Sequence, residues 1–320
     1  MITYADWGRK KDWIKIEVPS LENLLYIEEG CPLYALILIL SEGIRVFKVS
    51  GTETTKLRKE KGWEKTDEND VKLIKELAET HPELFTELKE QDKDALYVKL
   101  HIGKYRDLTK IVAGLKNQEH AIVDEYGPSE GLEKSIKDLQ SDKALQLESV
   151  LPHIQQEMDA LSDVTGFGPA LIAQICALAH PNKFKSKSAY LKYLGFIDRS
   201  KLEKADKTKY NRGAKAVFYN LMTQQMLHKT KYYDMLNEIK EKERLKTCES
   251  CYLTKNGSPC KRRKDNTQIV CNGKAHSSAQ NKVMTALATL VYDKLHNIEV
   301  SKVVWHEEKE KEMDLNEVFA

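Results

Sequence analysis

Residues 24–49, LLYIEEGCPLYALILILSEGIRVFKV, decide the fold. Leu24 to Ile27 is a short apolar segment, Leu33 to Leu40 an apolar run of helical character, and Gly43 ends that run. Ile44 to Val49 then reads as another strand. Strand, helix, strand in that order describes an α/β unit with parallel pairing, because a crossover must carry the chain back to the start of the next strand. Upstream, Ile2 to Trp7 is a further apolar run and Trp13 to Val18 (WIKIEV) alternates with period two, so the first fifty residues are β-rich. Downstream the period becomes helical: Val71, Ile74, Leu77 and Ala78 share one face behind a Thr66-Asp67 N-cap.

The 320 residues are enough for roughly two domains of ordinary size. Hydrophobic residues make up 41% and charged residues 31%, with a mean hydropathy of −0.55. That balance excludes both a membrane protein and a wholly disordered chain. The longest apolar run, Leu33 to Leu40, is less than half of what a bilayer requires. The N-terminal MITYADWGRKKDW lacks a basic segment followed by an apolar one, so the expected location is cytoplasmic. Residues 83–162 are charged and helical, with apolar positions at Leu132, Ile136, Leu139, Leu145, Leu147, Val150 and Leu151. Gly127-Pro128 and Pro152 punctuate this helical, coiled-coil-like connector. A second helical unit covers 163–240, a cysteine-bearing insert 246–278, and a closing helix Asn281 to His296.

Net charge is only +2, from 51 Lys and Arg against 49 Asp and Glu, but the charge is unevenly spread. From Asn182 to Lys215 there are eleven Lys/Arg against three Asp/Glu, and Lys261-Arg262-Arg263-Lys264 is an unbroken basic run. Such local excess in a neutral chain suits a polyanion groove, although a solvated Lys-rich surface has the same composition. Acidic positions stand out in the first unit. Asp6 lies in the first strand, Glu28 and Glu29 end the third, and Asp67 and Asp70 project from one face at a helix start. Carboxylates at the ends of parallel strands, meeting a helix-borne pair, can hold two Mg²⁺ ions for phosphodiester chemistry. Read alone, the same residues are ordinary surface acids. Leu161 to Ala173 has the look of a helix-hairpin-helix: Gly166 and Gly168 would let backbone approach phosphate, and the helix after them would favour an anion.

Two stretches resemble a known family. Lys65-Thr66-Asp67-x2-Asp70, preceded by Arg58-x3-Gly62, is similar to the KTD-x2-D motif of the DEDD transposases of insertion-sequence family one-ten, which includes the Piv-type invertases. TGFGPALIAQICALAHPNKFKSKSAYLKYLGF (165–196) resembles that family's C-terminal domain; Tyr210-Asn211-Arg212-Gly213 corresponds to its basic-Gly turn and Lys282 to Leu295 to its closing helix. The resemblance implies an α/β RNase H-like (RuvC-like) catalytic domain at 1–125, a helical arm at 126–160, a mostly α-helical transposase domain at 161–300 and a charged tail at 301–320. It gives Asp6, Glu28, Asp67 and Asp70 as Mg²⁺ ligands, with Glu29 an alternative to Glu28. The family's nucleophilic serine falls nearest Ser200, with Thr208 second; here Gly195-Phe196-Ile197-Asp198-Arg199-Ser200 lacks the Pro and Gly that usually frame it. Between Val18 and Leu24 there is little room for the strand and helix that normally precede the Glu-bearing strand, so a trimmed sheet is expected.

The implied activity is that of a DNA transposase or site-specific recombinase, cutting and rejoining strands through a covalent serine intermediate. Its partners would be element ends and target DNA, in some members a bridging guide RNA, and further copies of the chain in a homodimer or homotetramer. Backbone phosphates would meet Gly166, Gly168, Lys183, Lys185, Lys187, Arg212 and Lys261 to Lys264. A RuvC-like structure-selective nuclease, using water, and a non-catalytic DNA- or RNA-binding protein are the competing readings.

Cys248-x2-Cys251-x8-Cys260-x10-Cys271, with His276 beyond, is metal-site arithmetic in a chain with cytosolic character. Four sulfurs, or three plus His276, can close a tetrahedral Zn²⁺ site and order a loop that has little apolar content beyond Tyr252, Leu253, Ile269 and Val270. The cluster should bind one equivalent of zinc, lost on Cys248→Ser with Cys251→Ser. Chelation should expose Lys261 to Lys264 to protease while the surrounding helices keep their circular dichroism; a zinc-free loop that resists protease equally well would make the cysteines bystanders.

Overall fold

The computed structural model describes residues 1–7, 13–89, 92–196, 210–245 and 272–296. They fall into two units, the first running from Met1 to His153 and the second beginning at Ile154. Every apolar segment at the start of the chain is a strand: β1 (Ile2–Trp7), β2 (Trp13–Val18) and β3 (Leu24–Glu28). Helix α1 (Leu33–Ser41) leads to β4 (Arg45–Val49). The unit continues with α2 (Gly51–Glu60), α3 (Asp67–Thr80), a short β5 (Thr86–Leu88), α4 (Asp92–Tyr126) and α5 (Glu130–Glu148).

The strands form one mixed sheet in the order β2-β1-β3-β4-β5. Its middle is parallel, β1 with β3 and β3 with β4, as the strand-helix-strand reading requires. Both edges are antiparallel, β2 on β1 and β5 on β4. Residues 19–23 contain neither helix nor strand, so β2 leads straight into β3, in keeping with the trimmed sheet expected. Each face of the sheet has its own core. Ala5, Leu25, Ile27 and Val46 pack with Leu36 and Leu40 of α1 and Leu96 of α4. Tyr4 and Val49 pack with Val71, Ile74 and Leu77 of α3. The alternation of β2 is visible here: Ile14, Ile16 and Val18 join the α3 face, while Lys15 and Glu17 pair in solvent at 2.6 Å.

Helices α4 and α5 form an antiparallel hairpin turned at Gly127, whose φ is +84°. His101 meets Gln146 at 2.9 Å and His153 meets Asp94 at 3.1 Å, which fixes the opposite directions of the two limbs. The arm expected at 126–160 is therefore only half of a hairpin; its other limb is α4 itself, and residue 125 lies at the tip. Ile136 and Val150 are buried along the seam, whereas Leu145, placed with them by sequence, is 58% exposed.

The second unit is helical throughout its described residues: α6 (Gln155–Leu161), α7 (Pro169–Ala179), α8 (Lys187–Leu194), α9 (Arg212–Leu227), α10 (Lys231–Arg244) and α11 (Asn272–Leu295). Its core gathers Leu161, Ile175, Leu194, Phe218, Leu287 and the fully buried Tyr190. Caps follow local chemistry: the Ser186 hydroxyl accepts from Ala189 N–H and the Asn211 carboxamide oxygen from Ala214 N–H. The closing helix begins at Asn272, so residues 272–278, expected within the cysteine insert, are helical. The rest of the insert, residues 246–271, lies outside the described residues.

Gly166 joins a left-handed backbone (φ +84°) to close packing, since a Cβ there would sit 2.9 Å from Gln224 Cβ on α9. Gly166→Ala should therefore destabilise the protein by about 1–3 kcal/mol. Gly114 of α4 has open space around it, and Gly114→Ala should stabilise by about 0.5–1 kcal/mol. Urea unfolding midpoints of the two variants check both signs.

Candidate metal centre and nucleic-acid contacts

Register brings the acidic residues of the sheet together. Ala5 is paired with Ile27 on the parallel neighbours β1 and β3, so Asp6 and Glu28 follow side by side at the strands' C-terminal ends. Both belong to the row of Tyr4 and Tyr26, on the face that α3 covers. Helix α3 starts over this edge: the Thr66 hydroxyl caps it by accepting from Asn69 N–H at 3.2 Å, and Asp67 and Asp70 lie in its first turn. Three separated segments thus bring their carboxylates to one edge of the sheet. Glu29, the alternative to Glu28, is exposed and stands 3.8 Å from the Lys48 ammonium instead.

Helix α2 supplies the support. Its buried residues are Thr54 and Arg58, neither of them apolar. Arg58 donates from Nε and Nη2 to the same oxygen, Asp70 Oδ1, at 2.9 and 2.8 Å, and both side chains are buried. The Thr54 hydroxyl donates to the Gly51 carbonyl at 3.1 Å, and Glu28 Oε1 lies over Gly51 so closely that a Cβ there would be 2.5 Å away. The Trp7 amide donates to Asp6 Oδ1 at 2.9 Å. Sequence quoted Arg58 as part of a motif without its role, and missed Thr54 and Gly51. Helix α2, with one buried polar face and almost no apolar stripe, offers no periodic signal.

Burial pushes the Asp6 carboxyl above its ordinary range, and the charges of Asp70 and Asp67 push the same way against the Trp7 amide and Lys65. Glu28 is raised by burial, then by Asp6 and Asp70, against Thr54 and Arg58. Asp70 is raised by burial in spite of the Arg58 guanidinium. Carboxylates that raise one another stand where a cation would relieve them, and an all-oxygen donor set suits a hard divalent ion. Among the described residues no three of these carboxylates come within 4.8 Å of one another.

In the second unit the glycine turn is built as expected, but Gly166 makes its close approach to α9. Gly168, the N-cap of α7, is exposed with open space beside it. Lys183 donates to the Cys176 carbonyl at 3.1 Å and Lys187 pairs with Asp293 at 2.6 Å, so these two tie the helices together. Lys185 is exposed, as is Arg212 at the first position of α9. Ser200, Thr208, Lys261 to Lys264 and all of Cys248, Cys251, Cys260 and Cys271 lie outside the described residues. Cys176 and His180, four apart, meet Glu157 in a buried group that sequence reading overlooked. No protein-family profile and no curated protein matches the chain. Among the described residues no helix is long and apolar enough to cross a membrane.

The raised carboxyls make a signed prediction. Their folded pKa values lie above the unfolded ones, so the stability they contribute is full below pH about 4 and lost as pH rises through the raised values. In chelator at pH 7, Asp6→Asn and Glu28→Gln should each melt higher than the unaltered chain, by roughly 2–4 °C. Mg²⁺ should raise the melting temperature of the unaltered chain and not of the variants. Equal responses to Mg²⁺ would remove these residues from the metal site.

Proposed function

We propose that the first unit is an RNase H-like, RuvC-like catalytic domain in which Asp6, Glu28, Asp67 and Asp70 hold Mg²⁺ for DNA phosphodiester chemistry, in a transposase of the DEDD, family one-ten kind. One observation carries this reading: the four carboxylates converge from β1, β3 and the first turn of α3 at the C-terminal edge of the parallel strands. Bound there, the ions would stabilise the attacking and leaving oxygens of the displaced phosphate. The chain's own part is positional. Arg58 fixes the rotamer of Asp70 by holding Oδ1, the Trp7 amide orients Asp6, and Gly51, lacking a Cβ, leaves room for Glu28.

The Ser200 hydroxyl would attack phosphorus to give the covalent intermediate, while Lys185, Arg212 and Lys261 to Lys264 hold flanking phosphates. Arg212 at a helix N-terminus is a cation where the helix dipole favours an anion, an arrangement that a bound phosphate offsets. The zinc-bound cysteine insert would present its basic run to the nucleic acid. Joining two strands requires more than one active site, so the working form would be a dimer or tetramer on DNA.

Asp67→Ala should abolish Mg²⁺-dependent strand cleavage while DNA binding stays within a few-fold, because a ligand is lost without touching the basic surface. For Asp70 the conservative Asp70→Asn is the cleaner test, since alanine would leave Arg58 as an unpaired buried charge costing about 3–5 kcal/mol. Normal cleavage by either variant would overturn the metal assignment. Ser200→Ala should lose joining and the protein–DNA adduct; cutting that survives it unchanged would make the protein a nuclease that uses water.

A further inference from the structure

The second unit buries a group of metal-ligating side chains far in character from the acidic sheet edge: Glu157 on α6, Cys176 on α7, and His180 at the C-terminal end of α7. One ligand atom of each lies within 4.8 Å of the other two, and the three residues are 4%, 8% and 3% exposed. His180 Nε2 is 3.2 Å from Glu157 Oε1. Two ligands about 2.0 Å from a tetrahedral Zn²⁺ stand about 3.3 Å apart, so this pair already has the spacing of one tetrahedral edge. A second observation points into the same place. The Tyr190 hydroxyl is fully buried and lacks a hydrogen-bond partner; burial, then the charge of Cys176, pushes it up. Buried hydroxyls are seldom left so, and a thiolate would give this one an acceptor.

We propose that Glu157, Cys176 and His180 supply three ligands of a structural Zn²⁺ site that staples α6 to α7, with a buried water completing the tetrahedron. The donor set mixes sulfur, nitrogen and oxygen, a borderline-soft combination that suits zinc and not Mg²⁺. Charge balances on loading. The Cys176 thiol releases one proton to solvent, and the thiolate with the Glu157 carboxylate cancels the charge of the ion, leaving a neutral buried group. The His180 ring keeps its proton, which moves from Nε2 to Nδ1 as the 3.2 Å bond from the Asn182 amide gives way. Lys183, anchored on the Cys176 carbonyl, and His296 are the other charged or titratable groups facing the cluster. The staple closes the turn at 162–168, which carries Gly166 and Gly168.

Cobalt reads this site without relying on a core substitution. In the full chain with Cys248, Cys251, Cys260 and Cys271 changed to Ser, only Cys31 and Cys176 remain of the six cysteines. That chain, folded by circular dichroism, should take up one equivalent of Co²⁺ with the near-ultraviolet charge-transfer band of a single thiolate and the visible intensity of tetrahedral cobalt. Cys31→Ser should leave the band intact, while Cys176→Ser or His180→Gln should weaken cobalt binding at least tenfold. If those core variants fail to fold, persistence of the band in Cys31→Ser still assigns it to Cys176. If the four-serine chain fails to fold, the unaltered chain should bind one equivalent beyond the cysteine insert, and His180→Gln should remove only that one. No band in the folded four-serine chain, or loss of the band with Cys31→Ser, overturns the site and leaves a hydrogen-bonded His–Glu pair.

Discussion

The parallel register of β1 with β3 is the constraint on which the acidic edge rests. Side chains alternate along a strand, so a slip of one residue would swing Asp6 or Glu28 to the α1 face and scatter the group. The register is pinned immediately beneath the acids. Tyr4, Tyr26 and Phe47 are partners across three adjacent strands, and their rings stack at 5.4 and 5.0 Å. Phe85 closes the ladder edge-on against Tyr26 at 5.2 Å. Large aromatic rings in one row lose their mutual contact at any other pairing. The ladder sits two residues before Asp6, Glu28 and Val49, so apolar packing sets the position of the polar groups above it.

The same edge is where the unit gives up stability. Helix α2 buries Thr54 and Arg58 where an ordinary amphipathic helix would bury Leu or Ile, and carboxyls that repel one another are drawn together over it. A buried Arg–carboxylate pair contributes little net stability because desolvation of both charges opposes their attraction. Its value is geometric: two donors on one oxygen fix the side chain of Asp70. Stability has to come from elsewhere, and the structure shows where. Helix α3 is amphipathic, with Val71, Leu73, Ile74 and Leu77 all buried, and α4 carries Leu96 into the opposite core. The acid-bearing first turn of α3 is thus held by three apolar turns behind it.

These differences explain what was legible in the sequence. The strands β1 to β4 and helices α1 and α3 announce themselves because their apolar residues repeat with the period of the structure they adopt. Helix α2 and β5 do not: α2 buries polar residues, and three residues with one apolar position show no period. Of the acidic site, Asp6, Glu28, Asp67 and Asp70 were readable as strand-end and helix-start carboxylates, but Thr54 and Gly51 act through shape and a single hydrogen bond. Glu28 lies in the row of Tyr26 on the α3 face while Glu29 stands by Lys48, a difference that neighbouring acids in a sequence do not reveal. Lys183 and Lys187 have partners that their sequence does not announce. A run of basic residues reads as a phosphate surface, yet a carbonyl and an aspartate from the protein itself claim two of them. Cys176 and His180 stand four apart, a spacing that could have flagged them; Glu157 is nineteen residues earlier and joins them only through the turn.

The two groups of ligand-bearing residues follow opposite electrostatic logic. At the sheet edge Asp6, Glu28 and Asp67 are only half-buried, every donor is oxygen, and water can complete a shell around a hard ion that keeps much of its hydration. Around Cys176 nothing is open: the three side chains are buried, the thiol is pushed far up by desolvation, and burial holds the His180 imidazole neutral. A thiol so placed does not ionise without a cation to meet it, and a cation so enclosed has no path for a substrate. Openness and hard donors belong to chemistry, enclosure and soft donors to architecture.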